Sequence, residues 1–498
     1  MRYSVAMTGE VEATMRDHLL RDDGQEDVLI ATYARSTGNE RTTALIKSVI
    51  FPREGERHVH GNASFTSGYV LRASTQARAL GHGVVLLHSH PRGRGWQQLS
   101  NMDKETESEY ERVARGITKM PLLGMTLGGR DISWSARFWF DRSGPTWAES
   151  VRSVSPKLAV TWNDELRRIP RVTRSQQRTV SSWGERTQAS ISRLRVLVVG
   201  SGSVGLDVAQ RLAATGLATV GVMDYDAVET VNLDRMIGAT RLDAALGRSK
   251  VKVAARLMKS SATAESFQVR LHELSITDPV GLSAALDYDV IFSCVDGPWP
   301  RAVLNAIAYA DLIPVIDGGI ALDTFPDGRM RNGIWRAHTL VPGSPCMVCL
   351  GQLVMGDISL DKGGLLDDPE YIAGAHRDAP SRQNVAALSA SVSGALLAQF
   401  VSLTAHPGGR GIPAPLRYIL STHSLEHSSA KSGLHCPYEN ATASGDARTP
   451  IAEHREDWRT VVHERATKRS PFRLRALAAA EDFLQHTASR IIPVAPRG

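Results

Sequence analysis

The chain has 498 residues, too many for one ordinary core, and therefore points to two or more domains. Hydrophobic residues make up 42% and charged residues 22%, the balance of a soluble globular protein. The 58 Lys and Arg against 52 Asp and Glu leave a net charge of +6, too small a bias over this length for a nucleic-acid-binding surface, so no nucleic-acid partner is expected.

The N-terminus, MRYSVAMTGEVEATMRDHLL, carries charges throughout and has no apolar signal core. Four cysteines in so long a chain argue for a reducing compartment, and a cytoplasmic location is expected. Strand-like runs at residues 28–33, 45–51 and 83–87, with a polar helical run near 103–116, predict an α/β domain over residues 1–150. His88 and His90 lie two apart just after an apolar strand. At strand periodicity both imidazoles project to one face and can share a tetrahedral zinc. Pro91 breaks the strand, and Asp103 follows as a third, oxygen ligand, which leaves a fourth position for water. Ser100, one helical turn before Asp103, is placed to donate to an oxyanion, although Ser-x-x-Asp is also a helix-capping pattern.

The order strand, H-S-H-P, loop, S-x-x-D resembles the JAB/MPN (JAMM) zinc metalloproteases over residues 1–150. The resemblance implies an isopeptidase with catalytic zinc, and its upstream glutamate, the general base, falls on Glu26, with Glu40 as the other candidate. The loop from Pro91 to Leu99 is longer than usual in that family and carries Arg92, Arg94 and Trp96.

Residues 151–173 turn basic and polar and read as a linker. The run RVLVVGSGSVG then sets Gly200, Gly202 and Gly205 between a strand and a helix, a spacing that lets backbone approach phosphate. Asp224 closes a second strand, where it can meet a ribose diol. That much also fits a dinucleotide-dependent oxidoreductase. Three additions do not: Asn232 and Arg235 downstream, Lys250 on the next helix, and Asp296 at a strand end, placed to hold magnesium. G-x-G-x-x-G, D-x-D (Asp224 and Asp226), N-x-x-R, a helix lysine and a strand-end aspartate, in that order, resemble the ThiF/MoeB-type ubiquitin-activating superfamily over residues 174–437. The resemblance implies ATP and magnesium, and adenylation of the terminal glycine carboxylate of a ubiquitin-like β-grasp partner. It places Asp224 on ribose, Asn232, Arg235 and Lys250 on phosphates, and Asp296 on magnesium. Arg178 matches an arginine that crosses a homodimer into the neighbouring site, although Thr179 stands where that family has glutamine.

Cys346-x-x-Cys349 has the spacing of a zinc knuckle, with Cys436 as third ligand and a fourth open among His427, His435 and Glu439. Residues 351–384 contain no cysteine to carry a thioester, and Cys294 reads as a buried strand residue, so the reaction either stops at the acyl-adenylate or passes to a hydroxyl such as Ser381. The uncharged run 385–405 is rich in Ala and Ser and reads as a helix buried in protein, with no membrane association. Residues 174–440 are thus expected as a Rossmann-like adenylation domain and 441–498 as a tail with one helix. The combined expectation is activation of a ubiquitin-like protein by adenylation and its processing or deconjugation by the zinc module. A conjugating-enzyme homologue is a further expected partner. The alternative is activation and maturation of a sulfur carrier for cofactor synthesis.

Overall fold

The computed structural model describes residues 1–60, 62–141, 143–366, 368–374, 383–454, 456–467 and 471–491. The chain divides into two compact units. The first gathers Met1–Arg168 with Tyr309–Leu312 and Ala441–Thr449; the second holds Ile169–Ala308, Ile313–Asn440 and Pro450–Gly498.

The first unit is built on β1 (Arg2–Thr8), β2 (Val28–Thr37), β3 (Arg41–Ile50), a small hairpin of β4 (Arg57–His60) and β5 (Asn62–Phe65), then β6 (Gly83–His90), β7 (Leu122–Gly128), β8 (Ser133–Trp139), β9 (Thr146–Trp147), β10 (Ser150–Val154) and β11 (Ala159–Trp162). Outside the hairpin these form one sheet in the order β11-β10-β1-β3-β2-β6-β7-β8-β9. Residues 150–162 therefore supply two strands of this sheet, which corrects their expectation as linker: Val151 and Val154 are buried beside β1, a position that a solvated linker cannot take. Alternation along β2 and β6 explains both layers of core. Leu29, Ala31, Val85 and Leu87 face one cluster, whereas Ile30, Val84 and Leu86 face the other. The helices Gly9–Leu19, Ser67–Ala79 and Asn101–Thr118 complete the unit. Residues 441–449, expected as tail, are tied into it: the Thr37 amide donates to Asp446 at 2.9 Å.

The second unit's sheet runs β14 (Gln268–His272), β13 (Thr219–Met223), β12 (Arg195–Val199), β15 (Val290–Ser293), β16 (Val315–Thr324), β17 (Met330–Leu340), β18 (Leu416–Ile419) and β19 (Ser424–His427). The pairs from β14 to β16 are parallel and those beyond are antiparallel. Strand order reverses between β12 and β15, and in open parallel sheets the crevice at such a switch point is where ligands bind. Helix Ala386–Ala405 is long and apolar enough to cross a membrane by length and composition, yet Leu388, Val392, Leu396, Phe400 and Leu403 are buried in this unit. Helices Asp457–Thr467 and Phe472–Ile491 also belong here, and Glu481 pairs with Arg248 at 3.4 Å and Arg256 at 3.3 Å.

Candidate functional sites

In the first unit, the end of β6 delivers His88 and His90 to the N-terminus of helix Asn101–Thr118, where Asp103 sits in the first turn. Ligand atoms of the three side chains lie within 4.8 Å of one another. The local sequence explains the aim of the carboxylate. Ser100 caps the helix by accepting from the Asp103 amide at 3.1 Å, while its own amide and hydroxyl donate to Asp103 Oδ2 at 2.9 and 2.8 Å. Oδ1 is left facing His88 Nε2 at 3.7 Å. Ser100 was expected to donate to an oxyanion; its one hydroxyl hydrogen instead goes to Asp103, so it orients the ligand.

The charge states suit a cation. Burial, with the Arg137 guanidinium adding to it, pushes His88 down to about 3, so the imidazole is neutral and has a lone pair to give. Burial works to raise Asp103, but His88 and the Ser100 contacts outweigh it and keep the carboxyl below its usual range. Beside the same nitrogen, Thr126 Oγ1 lies 3.3 Å from His88 Nε2 and accepts from buried Arg137 at 2.6 Å, which is itself paired with buried Glu107. Sequence reading missed this support; Glu107, one turn beyond Asp103 on the same helix, was the available signal.

Glu26 precedes β2 and is half-buried. Burial raises its carboxyl above the usual range, with His90 lowering it and Asp103 raising it. Register decides against Glu40. Val28 pairs with His88, whereas Glu40 lies beyond the far end of β2, about 30 Å away at a rise of about 3.3 Å per residue, and it pairs there with Arg2.

In the second unit the glycine run caps helix Ser203–Thr215. Gly200 has φ of 90°, and a Cβ there would meet the Cys294 carbonyl oxygen at 2.4 Å; a Cβ on Gly205 would meet the Gly200 oxygen at 1.8 Å. Gly202 has nothing within 4 Å of that position, so the helix N-terminus is open on this side. Asp224, just past β13, accepts from the amides of Ser201 at 2.7 Å and Asp226 at 2.8 Å. Lys250, first residue of helix Lys250–Ser261, donates to Asp226 at 2.7 Å. Burial opposes the charge on Lys250, but Asp224, Asp226 and Asp296 together hold its pKa above the usual lysine value. Burial raises Asp224, offset in part by Lys250. Asp224, Asp226 and Lys250 are thus linked by hydrogen bonds, and Asp296 is near enough for its charge to act on Lys250.

Asn232 and Arg235 bond within their own segment. Asn232 accepts from the Glu229 amide at 3.0 Å, while Arg235 donates to the Val231 carbonyl at 2.6 Å and pairs with Asp234 at 2.8 Å. Asn232 closes the 3-10 turn Thr230–Asn232, whose capping box with Glu229 sets its direction, and Arg235 lies just beyond that turn. Arg178 is exposed on helix Gln177–Trp183. Cys294 lies just past β15 and is half-buried rather than inside the strand; burial, with Asp317, pushes its thiol up, away from a nucleophilic thiolate. Ser381 lies outside the described residues.

Two contributions were not foreseen. Ser389 and Asn384 reach Ser203 at the start of the glycine helix, each at 3.0 Å; the serines of the uncharged run were the visible sign. Arg465, far along the chain, donates to the Tyr225 carbonyl at 2.8 Å, between Asp224 and Asp226, and pairs with Glu273. No spacing announces it.

Cys346, Cys349 and Cys436 bring their sulfurs within 4.8 Å, with Cys346 and Cys436 3.4 Å apart, and among the described residues no His, Asp or Glu completes the group. Glu439 instead accepts from Ser432 at 3.1 Å. The Gly433 amide donates to Cys349 Sγ at 3.3 Å; burial opposes the thiolate there, but this bond and the neighbouring thiols hold Cys349 below the usual thiol range, whereas burial lifts Cys346 to about 12.

Residues 174–405 match the model of the ThiF family. The adenylyltransferase and sulfurtransferase MOCS3 of Danio rerio is 30% identical over 208 residues, 41% of this chain and 41% of that protein. The adenylyltransferase and sulfurtransferase uba4 of Ogataea parapolymorpha is 29% identical over 143 residues, 29% of this chain and 36% of that protein. The chain thus spans less than half the length of these curated relatives. Among solved structures, E. coli MccB with ATP is 17% identical and covers 53% of this chain and 73% of its own, with a TM-score of 0.42, too loose to carry functional weight.

Proposed function

Taking residues 174–405 as a ThiF-type domain of Rossmann-like α/β fold, we propose that the second unit adenylates the C-terminal carboxylate of a small β-grasp carrier protein at the expense of ATP. The observation that carries this is the convergence of Asp224, Asp226, Lys250 and Asp296 beside the open glycine turn, inside the matched segment. In the reaction a carboxylate oxygen of the carrier bonds to the α-phosphorus, and the bond to pyrophosphate breaks. Backbone amides at the helix N-terminus receive phosphate oxygens. Lys250 neutralises charge that develops on them, and Asp224 holds the ribose. Magnesium, when bound, supplies charge compensation for the leaving pyrophosphate, and Asp296 is the side chain placed to hold it. A homodimer, with Arg178 reaching a neighbouring site, belongs to the same reading.

Both relatives are named as adenylyltransferase and sulfurtransferase together, which favours a sulfur carrier over a protein-conjugated modifier. Incubating the chain with ATP, magnesium and candidate β-grasp proteins should add an AMP mass to the carrier ending in glycine. No such adduct with any carrier, in the presence of bound ATP, would reject the reading.

We further propose that the first unit is a zinc-dependent peptidase that trims the same carrier, or releases it from conjugates, to expose the terminal glycine. Two imidazoles and a carboxylate at mutual ligand distance, with His88 held neutral and Asp103 held anionic, fit zinc. Zinc, when bound there, supplies an acidified water at neutral pH. Glu26, half-buried beside His90 and Asp103, accepts the proton and returns it to the leaving amine. The cysteine trio would hold a second, structural zinc.

A further inference from the structure

The residues between Pro91 and Leu99 fold back onto the strand end that they leave. The Gly93 amide donates to the His90 carbonyl at 2.8 Å, and the Arg130 amide donates to the Gly93 carbonyl at 3.0 Å. The Gly95 amide meets the Asp131 carboxylate at 3.1 Å, and Asp131 in turn accepts from Ser133 Oγ at 2.6 Å. Gln97 is brought round in this way to His90. Its Nε2 donates to the carbonyls of Arg94 and Gly95, both at 2.9 Å, and its Oε1 lies 3.1 Å from His90 Nδ1.

That set of partners admits one hydrogen arrangement. Backbone carbonyls only accept, so they must face the amide nitrogen, and both hydrogens of that nitrogen are then used. The oxygen is therefore the atom turned to His90, and it can only accept. His90 Nδ1 must carry a hydrogen, and in a neutral imidazole the lone pair is then on Nε2. A second observation supports a built contact. A Cβ on Gly93 would lie 2.5 Å from Gln97 Oε1 and 3.0 Å from His90 Cβ, so the chain has no side chain where one would expel the glutamine.

We propose that Gln97 is a positioning residue that fixes the tautomer of His90 and thereby leaves Nε2 as the metal-binding atom. The proposal rests on the zinc reading of the first unit. An outer partner of this kind sets both ring direction and ligand basicity, and its loss typically costs about 10- to 100-fold in metal affinity.

The test is zinc affinity of the full chain, measured by chelator competition at the site that His88→Ala abolishes. Gln97→Met removes the acceptor at similar length. Gln97→Glu keeps an acceptor for Nδ1 but removes both donors to the loop. Gln97→Met should weaken zinc about 10- to 100-fold, and Gln97→Glu should restore most of that loss. Nitrogen NMR of the His90 ring should show the Nδ1-protonated form in the wild type and Gln97→Glu, and a mixture in Gln97→Met. Equal loss in both variants would mean that Gln97 merely holds the loop, and no loss in either would mean that it does nothing for the ligand; each overturns the proposal. A wild-type chain with no zinc that depends on His88 would instead overturn the zinc reading itself.

Discussion

The histidine site of the first unit and the Asp–Lys cluster of the second are both assembled at the C-terminal ends of strands, β6 and β13, yet they are fixed to different degrees. In the first, every ligand is placed by a short-range rule: alternation along β6 puts His88 and His90 on one face, and a capping box aims Asp103. In the second, Asp224, Asp226 and Lys250 are locked by backbone bonds and a salt bridge, while a capping box turns Asn232 to Glu229 and Arg235 pairs with its neighbour Asp234. A cap therefore fixes a side chain without deciding what it serves: the box at Ser100 leaves Asp103 Oδ1 facing His88, and the box at Glu229 spends the Asn232 oxygen on a backbone amide.

The largest effect should separate the two units outright. His88→Ala with His90→Ala should remove one of about two zinc ions per chain and abolish peptide hydrolysis, while ATP–pyrophosphate exchange continues. Retention of both ions on metal analysis would contradict the first site. Next, Glu26→Gln should slow hydrolysis by about 10²- to 10⁴-fold with zinc still bound, as a general base is not a ligand. Glu40→Gln should leave the rate unchanged; the opposite pattern would mean that register has misled us about the base.

Smaller effects sharpen the second half of the comparison. Cys349→Ser should cost the second unit more than about 2 kcal/mol of stability and one zinc ion, because loss of a metal site is among the few large single-residue effects; unchanged melting and zinc content would mean a plain cluster of thiols. Arg465→Ala removes one charged hydrogen bond from the Tyr225 carbonyl, worth about 1 to 2 kcal/mol. It should raise KM for ATP about fivefold or more with kcat little changed, and an equal fall in kcat would show a general loss of structure.

How much was legible follows the same division. The strands at residues 28–33, 45–51 and 83–87 and the meeting of His88, His90 and Asp103 were readable because periodicity and capping are local. Strands β10 and β11 were not: their Arg, Ser and Thr mimic a linker, and only pairing with β1 makes them sheet. Ser100 was legible as a cap, because Ser-x-x-Asp before a helical run is a local pattern. Arg465 could not be read at all, since its partner lies 240 residues earlier in the chain.

Adenylation of a carrier by the second unit is proposed to run through the cluster at Lys250 and Asp296. Pyrophosphate exchange into ATP, measured with and without a glycine-terminated β-grasp carrier, tests it most directly. Exchange should require the carrier, disappear in Asp296→Ala and survive in Cys294→Ser. Exchange that ignores the carrier, or persists undiminished in Asp296→Ala, would contradict it.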